Sequence, residues 1–557
     1  MDYSELVEVY CNLESNPSRL EKTRIIAELL TKTPRKDLGI VPILIMGRIF
    51  PDGSPQELGV GTGILYETIL FATGMNEGKF NKLIKEEGDV GEATKKSFLL
   101  KKQTVLSTEI LTIRKVSDNF DKIARISGKR AQSRKIKLLS ELLSNATPLE
   151  AKYLIRTILG ELRAGVAEGI VKDAIAKSFD IVPSVVERAY MITNDLGKVA
   201  IIAMEEGEKG LKQLNVVVGV PLKAMLAQIC PSIEDGLEGI NKAILEIKYD
   251  GARIQIHKKG DKIKIYSRRL EDVTRALPDI VELTKKAVTS RDAIIEGEAV
   301  AVDSITHKPK AFQDLLRRFR RKYSVKKMTE EIPFETYVFD ILFVDGETLI
   351  DFPFEERRRL LETIINPISK KFEIANQLIT KDPFEAESFY QNALEVGHEG
   401  VMIKNKDAPY IPGKRVGTMY KIKPIMETLD LVVTGAKWGT GKRTGWMSSY
   451  MLATKDSKSG QFLSIGRVGT GVTDQQLEEF TLKLKPLIVG EEGIIVKIKP
   501  EFVVEVAFQE IQKSTKYNSG YALRFPRVVR ARYDKSQLDA DDMAKVSSLY
   551  KLQKMDS

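Results

Sequence analysis

The stretch Glu246-Ile247-Lys248-Tyr249-Asp250-Gly251-Ala252-Arg253 sets a lysine between two acids directly after an apolar run. On a strand, alternation with period two would aim Glu246, Lys248 and Asp250 at one face. A lysine so placed is ordinarily a solvated cross-strand ion pair. Three further clusters argue for chemistry instead: Glu296-Gly297-Glu298 at the end of an Ile-rich run, Glu399-Gly400-Val401-Met402-Ile403-Lys404 on a strand opened by a carboxylate, and Lys421-Ile422-Lys423-Pro424, whose two lysines share a face. Each alone reads as a surface strand, but coincidence does not explain four polar-ended strands in one region. Together they suit a triphosphate met by Lys and Arg, a Mg²⁺ held by carboxylates, and a base stacked on an aromatic, for which Phe339 is the candidate.

Such a site needs an uncharged amine. A lysine in water has a pKa near ~10.4 and is almost wholly protonated at neutral pH. Lys248 could attack phosphorus only where its charged form is disfavoured, and crowding by Arg253, Lys421, Lys423 and a metal would have that effect.

Taken in order, the motifs resemble the signature of the covalent nucleotidyltransferases, the superfamily of DNA ligases, RNA ligases and mRNA-capping enzymes. They are Lys248-Tyr249-Asp250-Gly251-Ala252-Arg253, Ser267-Arg268-Arg269, Glu296-Gly297-Glu298, Phe339-Asp340, Glu399-Gly400-Val401 and Lys421-Ile422-Lys423. Leu523-Arg524-Phe525-Pro526-Arg527 and Arg532-Tyr533-Asp534-Lys535 are similar to the last motif of ATP-dependent DNA ligases, and the resemblance to the archaeal and eukaryotic type spans nearly the whole chain. It implies that Lys248 becomes an AMP-lysine, that Glu246 reads the adenine amino group, and that Phe339 stacks on the base. Arg253, Arg268 and Glu298 would hold ribose and phosphate, with Glu298 and Glu399 near a metal, Mg²⁺ or alternatively Mn²⁺. Arg415, Lys421 and Lys423 would neutralise phosphates, while Arg532, Asp534 and Lys535 would swing over ATP to orient pyrophosphate. The implied reaction seals nicks in duplex DNA by three phosphoryl transfers.

The elements that must position these residues follow from hydrophobic period. From the N-terminus to about residue 210, apolar spacing of three and four predicts helices, as over Lys135 to Leu143 and Leu149 to Leu162, with a capped start at Thr147-Pro148. After about Val216, short Val/Ile runs alternate with turns and with helices over Phe354 to Ile364 and Pro383 to Val396. From about Met426, strands predominate, among them Gly493 to Pro500 and Phe502 to Ile511, which suits a small β-barrel. The expected layout is therefore multidomain: an all-α DNA-binding domain over 1–215, an α+β adenylation domain over 216–425, and an OB-fold β-barrel over 426–557. Its polar end from Asp539 reads as a short helix or frayed tail.

Length alone suggests about three or four domains. The net charge of +10 favours a polyanionic partner if the charge is clustered. A ligase-like grip on duplex DNA would use backbone phosphates, for which Lys129, Arg130 and Arg134 at a helix start and Arg163 in Arg163-Ala164-Gly165 are candidates. The run Arg317-Arg318-Phe319-Arg320-Arg321-Lys322 is a third candidate for phosphate contact or else a solvated helix turn. Lys95-Lys96-Ser97-Phe98-Leu99 resembles the short aromatic motif by which archaeal ligases dock on the sliding clamp, without its Gln and second Phe.

Two cysteines exclude a disulfide framework and a four-cysteine zinc site, and three histidines disfavour a His-rich metal centre or a serine-type triad. No apolar stretch approaches the ~20 residues of a membrane span, so a soluble, cytoplasmic monomer is expected. Gly439-Thr440-Gly441-Lys442-Arg443-Thr444 fails the phosphate-loop pattern, and Gly466-Arg467-Val468-Gly469-Thr470-Gly471 fails the dinucleotide one. The competing readings are an mRNA-capping guanylyltransferase, which has no need of a long helical domain, and a non-catalytic duplex-binding module on the same scaffold. An NAD-dependent ligase lacks support because its zinc module is absent.

Overall fold

The computed structural model describes residues 1–101, 109–240, 243–310, 312–319, 325–424, 428–439, 443–457 and 459–555. The chain divides into two compact units, Met1–Ala393 with His398–Ile422, and Leu394–Gly397 with Lys423–Ser557. Arg320 to Lys322 and Thr440 to Lys442, parts of two motifs read above, lie outside the described residues.

The first unit begins with helices from Tyr3 to Lys212 around one apolar core, in which Tyr3, Leu6, Tyr10, Leu13, Ile155 and Tyr153 are almost fully buried. The helix Pro148–Leu159 starts as its sequence requires: Thr147 caps the amide of Glu150, the Glu150 side chain returns to the amide of Thr147, and Pro148 fills the first turn. This helix carries buried charge into the core. Arg156 bonds Glu14 at 3.0 Å and Asp89 at 3.2 Å, Lys152 bonds Glu14 at 3.0 Å, and the Tyr153 hydroxyl donates to Glu14 at 2.7 Å. Although desolvation opposes it, these donors hold the Glu14 carboxyl down to about 2.

The strands of the first unit, β1 (Leu226–Ile229) to β11 (Arg415–Ile422), form two sheets. One has the order β1-β11-β10-β2-β9, with β2 at Ala243–Lys248, β9 at Gln377–Leu378 and β10 at Gly400–Asn405. The other has the order β4-β3-β5-β6-β7, with β8 (Phe372–Ile374) beside β6. Here β3 is Ala252–Lys259, β4 Lys262–Ser267, β5 Asp292–Ala301, β6 Phe334–Val344 and β7 Glu347–Thr348. Ile254, Ile256, Ile295 and Ile341 face a core closed by the helix Pro278–Ala287, which leaves the alternate residues for the opposite face. The helical part and these sheets are joined by charge and by apolar packing: Lys223 bonds Asp52 at 2.7 Å and Glu168 at 2.9 Å, Arg188 bonds Asp351 at 2.7 Å, and Ile192 is buried in one cluster with Ile294, Leu342 and Ile350.

In the second unit, β14 (Phe462–Val468), β13 (Met447–Lys455), β12 (Thr428–Trp438), β16 (Ile495–Ala507) and β15 (Ile488–Glu492) pair in that order, and β19 (Arg527–Ala531) also pairs with β16. No pairing joins the edge strands β14 and β15 among the described residues, so the sheet is open there. The two strands expected over Gly493–Pro500 and Phe502–Ile511 run together as β16 up to Ala507, and Glu510 and Ile511 open a further strand, β17 (Glu510–Lys513), which pairs with β18 (Tyr521–Arg524). Pro500 is tolerated mid-strand because it lies where the β12 partners jump from Phe502 to Lys497. The polar end is a helix, Met543–Met555, with Val546 and Leu549 buried against this unit's core.

A second correction concerns Arg317-Arg318-Phe319. Arg318 is fully buried, pairs with Asp279, donates to the Ile332 carbonyl at 2.8 Å and lies 4.1 Å from the Phe334 ring centre. It is an internal strut, unavailable to phosphate. Among the described residues no helix is long and apolar enough to cross a membrane.

Glu14→Gln takes one anion from each of the buried cations Lys152 and Arg156, which keep Glu92 and Asp89, with a cost of about 1–2 kcal/mol after allowing for the partial exposure of Glu14. Because the folded carboxyl titrates below its ordinary value, this contribution is present above pH ~4.5 and lost as pH falls toward 2. Urea titrations followed by far-ultraviolet circular dichroism should show the gap between wild type and variant closing over that range. Tryptophan fluorescence should not follow it, since Trp438 and Trp446 both belong to the second unit.

Candidate active site

Lys248 is the last residue of β2. Pairing of β2 with β10 sets Gly400 opposite Lys248 and Met402 opposite Glu246, and pairing of β10 with β11 sets Lys421 opposite Met402. Glu246, Lys248 and Lys421 therefore share one face. The amide of Glu399 donates to the carbonyl of Lys248 at 2.9 Å, and Lys248 Nζ donates to Glu399 Oε2. The amine expected among cations is thus ion-paired with a carboxylate. Gly400 makes this approach feasible: its φ is +131°, and a Cβ there would lie 2.2 Å from the carbonyl oxygen of Ile422.

Asp250 does not lie on the strand with Glu246 and Lys248, because β2 ends at Lys248 and the chain turns. Gly251 packs its backbone where a Cβ would meet the Ala299 carbonyl at 2.6 Å, and that close passage forces the turn. Tyr249 is buried, its ring stacked on Tyr337 with centres 4.0 Å apart and 12° between planes. His398 meets Tyr249 edge-on at 4.8 Å, and burial pushes its ring down to about 4, so it is a neutral packing group at pH 7. His257 is neutral as well, pushed down to about 3 by burial, and its Nδ1 accepts from the amide of Gly219 at 2.9 Å.

On the other sheet, Arg253 lies opposite Glu298 and Gln255 opposite Glu296, so both glutamates share a face as alternation requires. Arg253 donates to Glu296 and, at 3.1 Å, to the Met225 carbonyl. Phe339 is the extra residue of a β-bulge, because the β5 partners jump from Asp340 to Val338. Its ring has Arg253 5.4 Å and Lys404 4.9 Å from its centre. Lys404 belongs to β10, so the two sheets meet across this ring.

Burial pushes the Glu298 carboxyl up to about 7 against the pull of Lys248 and Arg253, with Glu399 and Asp250 adding to the rise. Glu399 and Glu298 thus both act on the amine, from the two sheets. A narrow cleft of about 10 Å³ on the second sheet is lined by Leu222, Ala224, Gln255, Arg268 and the Arg253–Glu296 pair.

The family models sort the chain in the same order as its elements. DNA ligase N terminus matches residues 2–176, ATP dependent DNA ligase domain matches 224–423, and ATP dependent DNA ligase C terminal region matches 443–535. The chain belongs to the ATP-dependent DNA ligases. This ligase is 50% identical to the DNA ligase of Thermococcus fumicolans over 99% of both chains, and 49% identical to that of Archaeoglobus fulgidus, again over 99% of each. In fold it is similar to the solved structure Pmar-Lig_PreS3, with a TM-score of 0.60 and 20% identity over 95% of the ligase and 99% of that chain. The guanylyltransferase and non-catalytic readings fall away.

Not every residue singled out in the sequence joins the cluster. Arg415 is exposed at the other end of β11, donating to the Ala227 carbonyl at 2.8 Å. Lys423 follows β11 as the first residue of its segment in the second unit. Arg532 and Lys535 are tied within that unit to Asp430, at 2.9 and 2.6 Å, and Arg532 also to Asp534 at 2.7 Å. Lys129, Arg130 and Arg134 are exposed at the start of the helix Ala131–Asn145, while Arg163 pairs with Asp89 at 2.7 Å and Glu161 at 3.3 Å. Sequence reasoning named Lys404 within its strand motif but gave it no role, although its alternation with Met402 and Gly400 was visible, and missed Arg358, which had no such signal in Arg357-Arg358-Arg359.

Gly400→Ala must push β10 from β11 and carry Glu399 away from Lys248. Ligase activity should fall at least about a hundredfold, as misplacements near 1 Å do, and a single-turnover adenylation assay checks this.

Proposed function

We propose that Lys248 is the nucleophile with which this ligase seals nicks, and the observation that supports it is the meeting of its amine with Glu399 and Glu298 on facing sheets. In the first step Nζ bonds to the α-phosphorus of ATP, the bond to the β-phosphate oxygen breaks, and pyrophosphate leaves. Glu399 Oε2, already accepting from Nζ, is the atom placed to hold the proton that the amine must lose. AMP then passes to the 5′-phosphate of the nick, and the 3′-hydroxyl displaces it to form the phosphodiester.

In this reading Glu246 recognises adenine and Phe339 stacks on it. Arg253, Arg268 and Glu298 hold ribose and phosphate, while Arg415, Lys421 and Lys423 neutralise phosphates. The cleft must widen for this, by exchange of the Arg253–Glu296 and Lys248–Glu399 pairs for contacts with nucleotide.

A divalent cation fits the donor set. No group of three metal-ligating side chains occurs among the described residues, but Mg²⁺ binds through one or two carboxylates and completes its shell with phosphate and water. The Glu298 carboxyl is raised chiefly by burial, with Glu399 and Asp250 adding to the rise, and a bound cation would favour its charged form. Glu298 and Glu399 would hold Mg²⁺, or Mn²⁺, and the ion would supply charge neutralisation at the phosphates.

The proposed domains are a helical DNA-binding domain over 1–215, an adenylation domain over 216–425 and an OB-fold over 426–557. The open sheet β14-β13-β12-β16-β15, which β19 extends at β16, supports an OB reading. Lys129, Arg130, Arg134 and Arg163 would contact DNA phosphates. Arg532, Asp534 and Lys535 would orient pyrophosphate after release from Asp430. The ligase would act as an intracellular monomer, docking on a sliding clamp through Lys95–Leu99, where Leu99 is exposed.

Incubation with α-labelled ATP and Mg²⁺, followed by denaturing electrophoresis, should label the wild-type chain and leave Lys248→Ala blank. The variant should still bind nicked duplex in a mobility-shift assay; a labelled variant would move the nucleophile elsewhere. Glu399→Ala should slow single-turnover adenylation by about a hundredfold or more while DNA affinity stays within about threefold. Phe98→Ala should weaken capture by the cognate clamp, and equal capture would remove the docking proposal.

A further inference from the structure

Glu246 is almost fully buried, and three side chains hold its carboxylate. Gln377 Nε2 donates to Oε1 at 2.7 Å, Arg358 Nη1 donates to Oε1 at 3.4 Å, and the Lys404 ammonium is ion-paired with Oε2. An ionised carboxylate offers about four acceptor positions, two on each oxygen. Among the described residues the two donors occupy Oε1, so the acceptor room left is on Oε2, the oxygen that Lys404 faces. The same ammonium lies 4.9 Å from the centre of the Phe339 ring and 4.4 Å from that of Phe354. Lys404 therefore touches both the carboxylate and the aromatic ring to which the reading above assigns the base.

We propose that Lys404 is a positioning residue that sets base specificity, holding Glu246 so that its remaining acceptor position selects a 6-aminopurine over a 6-oxopurine. This rests on the reading that Glu246 faces the 6-position. An amino group there donates to Oε2. A carbonyl oxygen there brings two acceptors together without a proton between them, which a buried site rejects strongly. Free, the Lys404 ammonium would donate to that same carbonyl oxygen and favour the wrong base. Paired with Glu246 on one side and covered by Phe339 and Phe354 on others, it does not. The strand register supports the arrangement: Lys404 sits opposite Ile244 on β2, two residues before Glu246 and on the same face. Arg358, held by Glu362 at 2.7 Å and by the Ala375 carbonyl at 2.8 Å, braces the other oxygen from the helix Phe354–Ile364.

The experiment compares formation of the lysine adduct from α-labelled ATP and α-labelled inosine triphosphate, which differ in the purine at position 6 and in the proton that N1 of the 6-oxopurine carries, across full-length wild type, Lys404→Met, Lys404→Arg and Glu246→Gln. Lys404→Met should raise the KM for ATP about tenfold with kcat within about threefold, and lower the ATP-to-inosine-triphosphate ratio of kcat/KM about tenfold; Lys404→Arg should restore the ratio to within about threefold. Glu246→Gln should lower the ratio at least as far. Far-ultraviolet circular dichroism on each variant establishes that it is folded, and an unfolded Lys404→Met variant would assign Lys404 to the fold and overturn the proposal. So would an unchanged ratio in Lys404→Met beside a collapsed one in Glu246→Gln, or a loss confined to kcat. If Glu246→Gln itself keeps the ratio while Lys248 is still labelled, then Glu246 does not face the 6-position and it is the underlying reading that fails.

Discussion

The ion pair between Lys248 and Glu399 is the contact around which the first unit is arranged. A single backbone hydrogen bond, from the amide of Glu399 to the carbonyl of Lys248, brings the two residues into line. Everything else serves to hold that line: the glycine at 400 that lets β10 approach β11, the turn at Gly251, and the second sheet that brings Glu298 across. Charges this close in a half-buried setting are costly unless each has a partner. The site meets that demand by pairing Lys248 with Glu399, Arg253 with Glu296 and Lys404 with Glu246. A nucleotide brings its own negative charge, so binding at this site, as proposed, would be an exchange of partners rather than the filling of a prepared hole.

The helical part contributes in a different currency. Its core is large and apolar, and it joins the sheets through charged contacts at Lys223 and Arg188 and through Ile192, which packs in one cluster with Ile294, Leu342 and Ile350. The charged contacts fix direction, and the apolar ones add burial.

Much of the site was legible because it rides on strands. Period-two alternation put Glu246 with Lys248, and Glu296 with Glu298, and the register bears both out. What alternation could not reach lies where strands stop. Asp250 falls in a turn created by the close passage of Gly251, a tertiary contact with no local signature. Lys248 was expected among cations, yet its first neighbour is Glu399, because residues 151 positions apart meet only through pairing of β2 with β10. Arg318 read as part of a basic run open to phosphate or else to solvent and is a buried strut, since Asp279 and Phe334 that receive it are remote in sequence. Helices were legible where caps and period agreed, as at Thr147-Pro148. The merging of two expected strands into β16 was hidden by Pro500, whose place at a register jump only the fold reveals.

The bulge at Phe339 has a consequence for how such a pocket changes over time. A residue that belongs to the ladder is constrained by its neighbours on both sides, so altering it risks the sheet. Phe339 is surplus to the pairing of β5 and β6, so its side chain is held by packing against Tyr249 and Val300 rather than by a ladder partner. If it stacks on the base as proposed, exchanging its ring for another would alter ligand preference at the cost of that packing and leave the ladder itself intact.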